Sequence, residues 1–145
     1  MSGLLSLAAL LLVTGCASAP MYTTNKSPET GYALVYIYWL HEATITSFTP
    51  GIIINNTPYQ RIGNGRYIYS YLREGRYALG LQYGLKRLSG EFKFNSGGTY
   101  FIKVSAGIRP VGLSYTLMNF TMKVVDSKTG RQEIKNTTLM GELEL

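Results

Sequence analysis

Short runs of β-branched and aromatic residues, separated by turns rich in glycine and asparagine, limit most strongly what this chain can fold into. The first run, Ala33–Trp39, is apolar at every position, which is typical of a central, buried strand. Gly51–Ile54 is predicted as a second strand. Asn55 and Asn56 follow it, and asparagine tolerates the positive φ that tight turns require. These segments favour a β-rich domain.

Two later runs, Arg66–Leu72 and Arg76–Tyr83, alternate in polarity with a period of two residues. A short glycine-containing loop separates them, so we expect a β-hairpin. Leu88–Phe94 and Thr99–Ser105 are separated by a loop with two glycines and are predicted as a second hairpin. Val111–Val125 is too long for one ordinary strand, and we expect it to bend near Asn119 or to divide.

The C-terminal part is less regular. Residues 126–130 are predicted as a turn, and residues 131–140 as a short helix, which we favour over an edge strand. About seven closely spaced strands indicate an all-β chain folded as a single antiparallel β-sandwich over residues 32–145, with a barrel as the alternative.

An apolar run of ten residues, Leu4–Val13, opens the chain. A membrane-spanning helix needs about 20 residues, whereas the apolar core of a secretory signal has about 7–15. Cys16 follows as the single cysteine, so no internal disulfide can form. Either Cys16 has a role at the end of an export signal, or it is a free thiol behind an ordinary cleaved signal peptide.

The sequence Val13-Thr14-Gly15-Cys16 resembles the lipobox of bacterial lipoproteins. The resemblance implies cleavage of a signal peptide at residues 1–15, a diacylglycerol on the thiol of Cys16 and acylation of the new amino terminus. Residues 17–30 contain two prolines and many small polar residues, so residues 16–31 are predicted as a lipidated cysteine with a flexible tether. Ala17 rather than aspartate follows the cysteine. In enterobacterial lipoproteins that pattern implies the outer membrane, with the domain facing the periplasm.

Three segments of the remaining chain resemble a family of small bacterial lipoproteins catalogued as a domain of unknown function. They are a first strand at Ala33–Tyr38, a turn at Arg73–Tyr77 and a strand at Gly98–Lys103. The resemblance covers about residues 32–140. Trp39 stands where the family usually has arginine. The resemblance implies a β-sandwich lipoprotein facing the periplasm and implies no activity.

Residues that carry out catalysis are scarce. The chain has one histidine, His41, and one aspartate, Asp126. No second histidine follows at zinc-ligand spacing. The chain also lacks a Gly-x-Ser-x-Gly sequence, which would expose a nucleophilic serine on a sharp turn. We therefore expect no enzyme, no metal and no cofactor. The alternatives kept open are an unrecognised site around His41 and a carboxylate pair among Glu42, Glu74 and Glu91.

Positive charge is concentrated in the middle of the chain. The net charge is +6, and residues 61–109 hold nine Lys and Arg against two Glu, or +7. Tyrosines alternate with these bases, which suits an anionic envelope partner or a protein interface. The alternative is a solvated surface whose charges prevent strand edges from aggregating. The predicted binding surface consists of Arg66, Tyr67, Tyr69, Tyr71, Arg73, Arg76, Arg87 and Lys93.

Two functions follow as hypotheses. The first is a non-catalytic, membrane-anchored lipoprotein that serves as a binding or assembly module in the bacterial cell envelope, with an envelope protein or an anionic envelope polymer as its partner. The second is an envelope-integrity protein that contacts anionic polymer or lipid directly through its basic hairpins. An export signal argues against nucleic acid as a partner.

Overall fold

The computed structural model describes residues 21–23, 26–43, 48–111 and 115–145, with the backbone alone over 108–111 and 115–118. Cys16 and the predicted signal peptide lie outside these residues. No helix in the described part of the chain is long and apolar enough to cross a membrane. The elements are β1 (Tyr32–Trp39), β2 (Gly51–Ile54), β3 (Thr57–Arg61), β4 (Arg66–Arg73), β5 (Gly75–Tyr83), β6 (Lys86–Phe94), β7 (Thr99–Val111), β8 (Tyr115–Val125), α1 (Ser127–Glu133), a 3₁₀ turn (Ile134–Asn136) and β9 (Thr138–Glu142).

The strands form two packed sheets, which confirms the predicted all-β sandwich. A five-stranded sheet has the order β8-β7-β1-β4-β9, and a four-stranded sheet has the order β3-β2-β5-β6. The described residues form nine strands rather than about seven. The β1–β7 and β4–β9 pairs are parallel, which differs from the antiparallel arrangement expected. Each of these pairs joins strands distant in sequence, so no hairpin fixes their relative direction.

Both of the predicted hairpins are wrong. β4 pairs with β1 in the five-stranded sheet, whereas β5 pairs with β2 and β6 in the four-stranded sheet. Glu74 is the single residue between β4 and β5, and Gly75, the first residue of β5, has a φ of 153°. A glycine there lets the chain turn sharply from one sheet to the other. β6 and β7 likewise belong to different sheets, and Gly97 in their loop has a φ of 76°.

The hairpins that do form are β2–β3, β5–β6 and β7–β8. Asn55 and Asn56 in the β2–β3 turn have φ values of 49° and 66°, which confirms the predicted turn. β8 pairs with β7 without interruption through Asn119, which lies opposite Gly107, so the run 111–125 has no break at that residue. It divides instead, as the alternative prediction had it, because Val111 ends β7 and Tyr115 begins β8. The break between β7 and β8 falls at residues 112–114, outside the described residues.

The main core lies between the sheets. Alternate residues of β1, including Val35, Ile37 and Trp39, pack there against Ile52 and Ile54 of β2 and other buried apolar side chains. The indole Nε1 of Trp39 donates to Oε1 of Glu42 at 2.8 Å. Because this partner satisfies the indole N–H, the largest side chain of the core can be completely buried.

A second apolar layer covers the outer face of the five-stranded sheet. Tyr22 and the α1 region pack over Tyr36, Tyr67 and Phe101. Tyr22 is only 8% exposed, and its ring centroid lies 5.3 Å from that of Tyr36. Part of the segment predicted as a tether therefore packs against the domain.

The segment after β8 contains both a helix and a strand. α1 begins within the turn predicted for residues 126–130, because Oδ1 of Asp126 accepts a hydrogen bond from the Thr129 amide at 2.9 Å and caps the helix. Gly130 lies mid-helix, where a Cβ would overlap Phe101. The predicted turn is thus the first turn of the helix, and β9 follows as an edge strand beside β4.

Candidate functional site

The predicted binding surface is divided between different parts of the fold. Tyr67 and Tyr69 are 4% and 7% exposed, so their assignment to a binding surface is wrong. They share one face of β4, as their spacing of two residues predicts. That face is the outer face of the five-stranded sheet, and Tyr22 and other apolar side chains cover it. The alternation indicated which residues share a face but could not show that the face is covered.

Arg66 is half-buried beside the edge strand β9. Its Nη2 donates to the carbonyl oxygen of Leu139 at 3.2 Å. The backbone of Arg66 is paired with Thr138. Arg66 therefore joins β4 to β9 and is directed into the protein.

Arg76, Arg87 and Lys93 lie on the exposed β5–β6 hairpin of the four-stranded sheet. Arg76 lies directly opposite Lys93 and forms an ion pair with Glu91 at 3.6 Å, in which each side chain is 72% exposed. Such exposed pairs contribute little to stability. Nη2 of Arg87 donates to Oε1 of Gln82 at 3.2 Å. This part of the predicted surface is accessible, as expected.

Tyr71 and Arg73 lie at the end of β4 and line a cleft between the two sheets. Its other walls come from the start of β1, the β2–β3 hairpin and the start of β5, and its volume is about 510 Å³. We call it the tyrosine cleft. Its aromatic and basic lining consists of Tyr32, Tyr59, Tyr71, Arg73 and Tyr77.

Hydrogen bonds fix the walls of the tyrosine cleft. The hydroxyl of Tyr77 donates to the carbonyl oxygen of Arg73 at 2.8 Å, and burial raises the pKa of Tyr77 while the charge of Arg73 opposes that rise. The guanidinium of Arg73 lies 5.6 Å from the ring centre of Tyr32. Oδ1 of Asn55 accepts from the Ala78 amide at 3.0 Å. Tyr77 and Asn55 of the cleft lining are thus fixed by hydrogen bonds to neighbouring backbone groups.

A shallower hollow of about 310 Å³ adjoins the cleft and shares Tyr32 and Tyr71 with it. Ser27 and Glu29, from the segment predicted as a tether, form its other side. Nζ of Lys26 lies 4.2 Å from the ring centre of Tyr69, and a hydrogen bond to Tyr69 raises the pKa of Lys26. The N-terminal segment therefore extends the aromatic surface.

Sequence reasoning missed Tyr32 and Tyr59. Tyr32 pairs with Arg73 across β1 and β4, and Tyr59 lies on β3, which was not predicted as a strand. The two belong to different sheets. Their convergence depends on how the sheets stack, and no spacing along the chain carries that information.

The cleft lining contains four phenol rings, one side-chain amide, one aliphatic hydroxyl, two aliphatic side chains and one guanidinium. Among the described residues that line it, none has an acidic, imidazole or thiol side chain. The described chain also holds no cluster of three His, Cys, Asp or Glu that could bind a metal. Glu42 is held by Trp39 and by the side chain of Asn64, which accepts from its amide at 2.8 Å. This chemistry suits binding of a ligand through ring faces and one positive charge.

The fold and the cleft define a class: a small β-sandwich with one covered outer face and an aromatic cleft at one end. More particularly, the chain belongs to the family described as "Protein of unknown function (DUF2846)", whose model matches residues 29–113. The match extends from just before β1 to just after β7 and includes all five aromatic and basic residues of the cleft. No curated protein and no solved structure matches the chain.

Proposed function

We propose that this protein is a non-catalytic lipoprotein of the bacterial cell envelope and acts there as a binding or assembly module. A lipid on Cys16 holds it in the outer membrane, where its sandwich faces the periplasm. The tyrosine cleft is its binding site. The observation that carries this proposal is the cleft itself, with four tyrosines and one arginine around about 510 Å³.

The support for anchoring is the order of an apolar run, small residues and Cys16 at the start of the chain. A diacylglycerol together with an N-acyl group would hold the protein permanently, because one chain alone binds a bilayer only marginally.

The support for binding is the kind of side chain at the cleft. Tyrosine and arginine are enriched at the energetic centres of protein interfaces, since they offer large contact areas with polar tips. The partner that fits is an envelope protein or an envelope polymer with an anionic group for Arg73. The absence of acidic, imidazole and thiol side chains from the described lining favours binding over catalysis.

Anchoring is tested with Cys16→Ser in a chain whose residues 1–15 are replaced by a secretory signal that is cleaved independently of lipidation. We expect the folded domain to move from the membrane fraction to the soluble periplasm. The unmodified chain is the control. Unchanged membrane retention of the variant would overturn the anchoring.

Binding is tested by measuring how this soluble form associates with isolated cell-wall sacculi and with a detergent extract of outer-membrane proteins. Tyr59→Ala and Tyr71→Ala should each weaken association with one of them by about tenfold or more. Val124→Ala, at an exposed side chain of β8 that lines neither the cleft nor the hollow beside it, is the control and should have no effect. If all three variants associate equally well with the sacculi and with the protein extract, the cleft is not the binding site.

The second candidate is an envelope-integrity protein that contacts anionic polymer or lipid through its basic surface. Its support is that Arg76, Arg87 and Lys93 are exposed along one hairpin, with Arg76 alone of the three in an ion pair among the described residues. It predicts binding of the soluble domain to lipopolysaccharide that weakens with salt. Binding that persists after charge reversal at these three residues would exclude it.

A further inference from the structure

The N-terminal segment enters the domain at one particular end of the sandwich. Met21 forms an isolated bridge with Thr138, which pairs with Arg66 at the start of β4. Tyr67, the next residue of β4, pairs with Tyr38 near the end of β1. Met21 therefore lies at the end of the sandwich where β1 finishes at Trp39.

The turn of the β5–β6 hairpin lies at that same end. The ring of Tyr83 lies 6.0 Å from that of Phe120, which lies 5.7 Å from Trp39. Gly84, with a φ of 57°, and Leu85 follow Tyr83 directly. We call residues 83–88 the hairpin tip. The tyrosine cleft is at the opposite end, where β1 begins, roughly 25 Å away along the eight residues of β1.

The hairpin tip combines exposed apolar groups with positive charge. Leu85 is fully exposed, and Tyr83 and Leu88 are also exposed. Lys86 and Arg87 lie between these apolar residues, and neither takes part in an ion pair of the described chain. Apolar side chains beside cations that have no ion-pair partner in the described chain match the interface of a bilayer that contains anionic lipid.

A groove beside the tip has the same mixed character. Its volume is about 260 Å³, and it lies between β5–β6 and β8. Leu81, Leu88 and Phe120 form apolar walls, while Lys86 and Arg87 stand at its margin. The groove gives apolar groups of a lipid a place next to cations that pair with its headgroup.

The tether is short enough to keep this end near the membrane. Cys16 precedes Met21 by five residues, which can span at most about 18 Å. The described chain after Met21 leads away, toward Glu29 and the start of β1. A lipid on Cys16 therefore brings the bilayer surface to the end that carries the hairpin tip.

We propose that the hairpin tip is a second membrane contact, which inserts Leu85 into the interface and places Lys86 and Arg87 on anionic headgroups. This inference rests on the proposed lipid anchor at Cys16. It deepens the proposed function, because the domain then has a fixed orientation with the tyrosine cleft directed away from the bilayer.

The test uses the full chain, processed in cells, purified and reconstituted into vesicles of phosphatidylethanolamine and phosphatidylglycerol at 3:1. Since Cys16 is the single cysteine and would carry lipid, Leu85→Cys offers one thiol for an environment-sensitive fluorophore. Thr57→Cys, exposed in the β2–β3 hairpin at the cleft end, is the matched control. We expect lipid-borne nitroxides to quench the label at position 85 at least threefold more than the label at position 57.

The outcomes separate the two proposals. Protein that floats with the vesicles but shows equal quenching at both positions would overturn the hairpin contact and leave the anchor standing. Protein that fails to float and reacts at Cys16 would overturn the anchor and the inference with it.

Charge reversal gives an independent check in the soluble Cys16→Ser form. Lys86→Glu with Arg87→Glu should lower binding to the same vesicles by about tenfold or more, since each base near an anionic surface contributes severalfold to affinity. Arg76→Glu with Lys93→Glu makes the same change in net charge at the other end of the same two strands. An equal loss in both variants would show that net charge, not the tip, governs binding and would contradict the proposal.

Discussion

The two ends of the sandwich use aromatic residues and bases in different ways. At the cleft end, tyrosines from both sheets surround a hollow, and Arg73 is held beside Tyr32. At the hairpin end, Leu85, Lys86 and Arg87 project from a turn, with Leu85 fully exposed. A concave surface suits a specific ligand, whereas a protruding apolar and basic turn suits a broad surface. We therefore propose that the basic, tyrosine-rich middle of the chain contributes to two separate binding surfaces rather than one.

The packing of Tyr22 on the five-stranded sheet holds the N-terminal segment in place relative to the two ends of the sandwich. Tyr22→Ala should lower the free energy of unfolding by about 2–4 kcal/mol, because it removes a buried ring that packs edge-on against Tyr36 and Tyr67. Chemical denaturation measures the loss. Tyr22→Phe keeps the ring and is the control. A loss below about 0.5 kcal/mol for the alanine variant would mean that the segment does not determine the end from which the chain leaves the domain.

Helix α1 packs on the outer face of the five-stranded sheet, between the two ends of the sandwich. Gly130→Ala tests how tightly it packs there. Helix propensity alone would make alanine more stable by about 1 kcal/mol. Here the added Cβ would overlap Phe101, and overpacking costs about 1–3 kcal/mol. We therefore expect a net loss of stability and a lower melting temperature. Lys128→Ala, on the exposed side of α1, should be close to neutral; a stabilised Gly130→Ala variant would show that α1 does not pack tightly on the sheet.

A partly buried ion pair between the same helix and β7 gives a pH-dependent prediction. Burial raises the pKa of Glu133, but hydrogen bonds from Lys103 and Tyr38 outweigh that effect and hold it below its ordinary value of 4.5. Nζ of Lys103 lies 2.8 Å from Oε1 of Glu133. Because the folded-state pKa is lowered, the stabilisation is complete above the unfolded value and is lost as the pH falls through the folded value.

Glu133→Gln should accordingly cost about 1–2 kcal/mol at pH 7, and the difference from the unmodified protein should shrink as the pH falls below 4.5. Urea denaturation across pH 2–7 measures it. The exposed Glu144→Gln is the matched control. A cost that stays constant down to pH 2 would indicate lost packing rather than lost charge.

The smallest expected effect on stability is at the hairpin tip. Leu85→Ser should change the free energy of unfolding by less than about 0.5 kcal/mol, because the side chain is fully exposed. Leu81→Ser, four residues earlier on β5 and 2% exposed, should be strongly destabilising. A large loss at Leu85 would mean that the tip packs against the protein and would remove the contrast between the ends.

Local chemistry in the sequence correctly predicted most of the strands, though not β3 or β9, and several turns. The apolar run Ala33–Trp39 is the central strand β1, and Asn55 and Asn56 form the tight turn between β2 and β3. A family of unknown function, as expected from Ala33–Tyr38 and Gly98–Lys103, is shown by the match over residues 29–113, whereas the lipoprotein character expected with it stays a prediction. These features depend on residues close together in the chain.

The pairing of strands could not be predicted in the same way. Arg73-Glu74-Gly75 was interpreted as a hairpin loop, yet it carries the chain from one sheet to the other. Period-2 alternation shows that a strand has two different faces, but it does not specify its neighbours. For the same reason Tyr67 and Tyr69 were assigned to a surface that Tyr22 covers, and the convergence of Tyr32 and Tyr59 was missed.

The most direct test of the account is crosslinking in intact cells from photoreactive residues placed at Tyr59 and Tyr71 in the cleft and at exposed Ser89 on β6. The account predicts adducts to one discrete envelope component from both cleft positions and none from Ser89. Adducts from Ser89 with none from the cleft would contradict it and would move the binding site to the outer face of the four-stranded sheet.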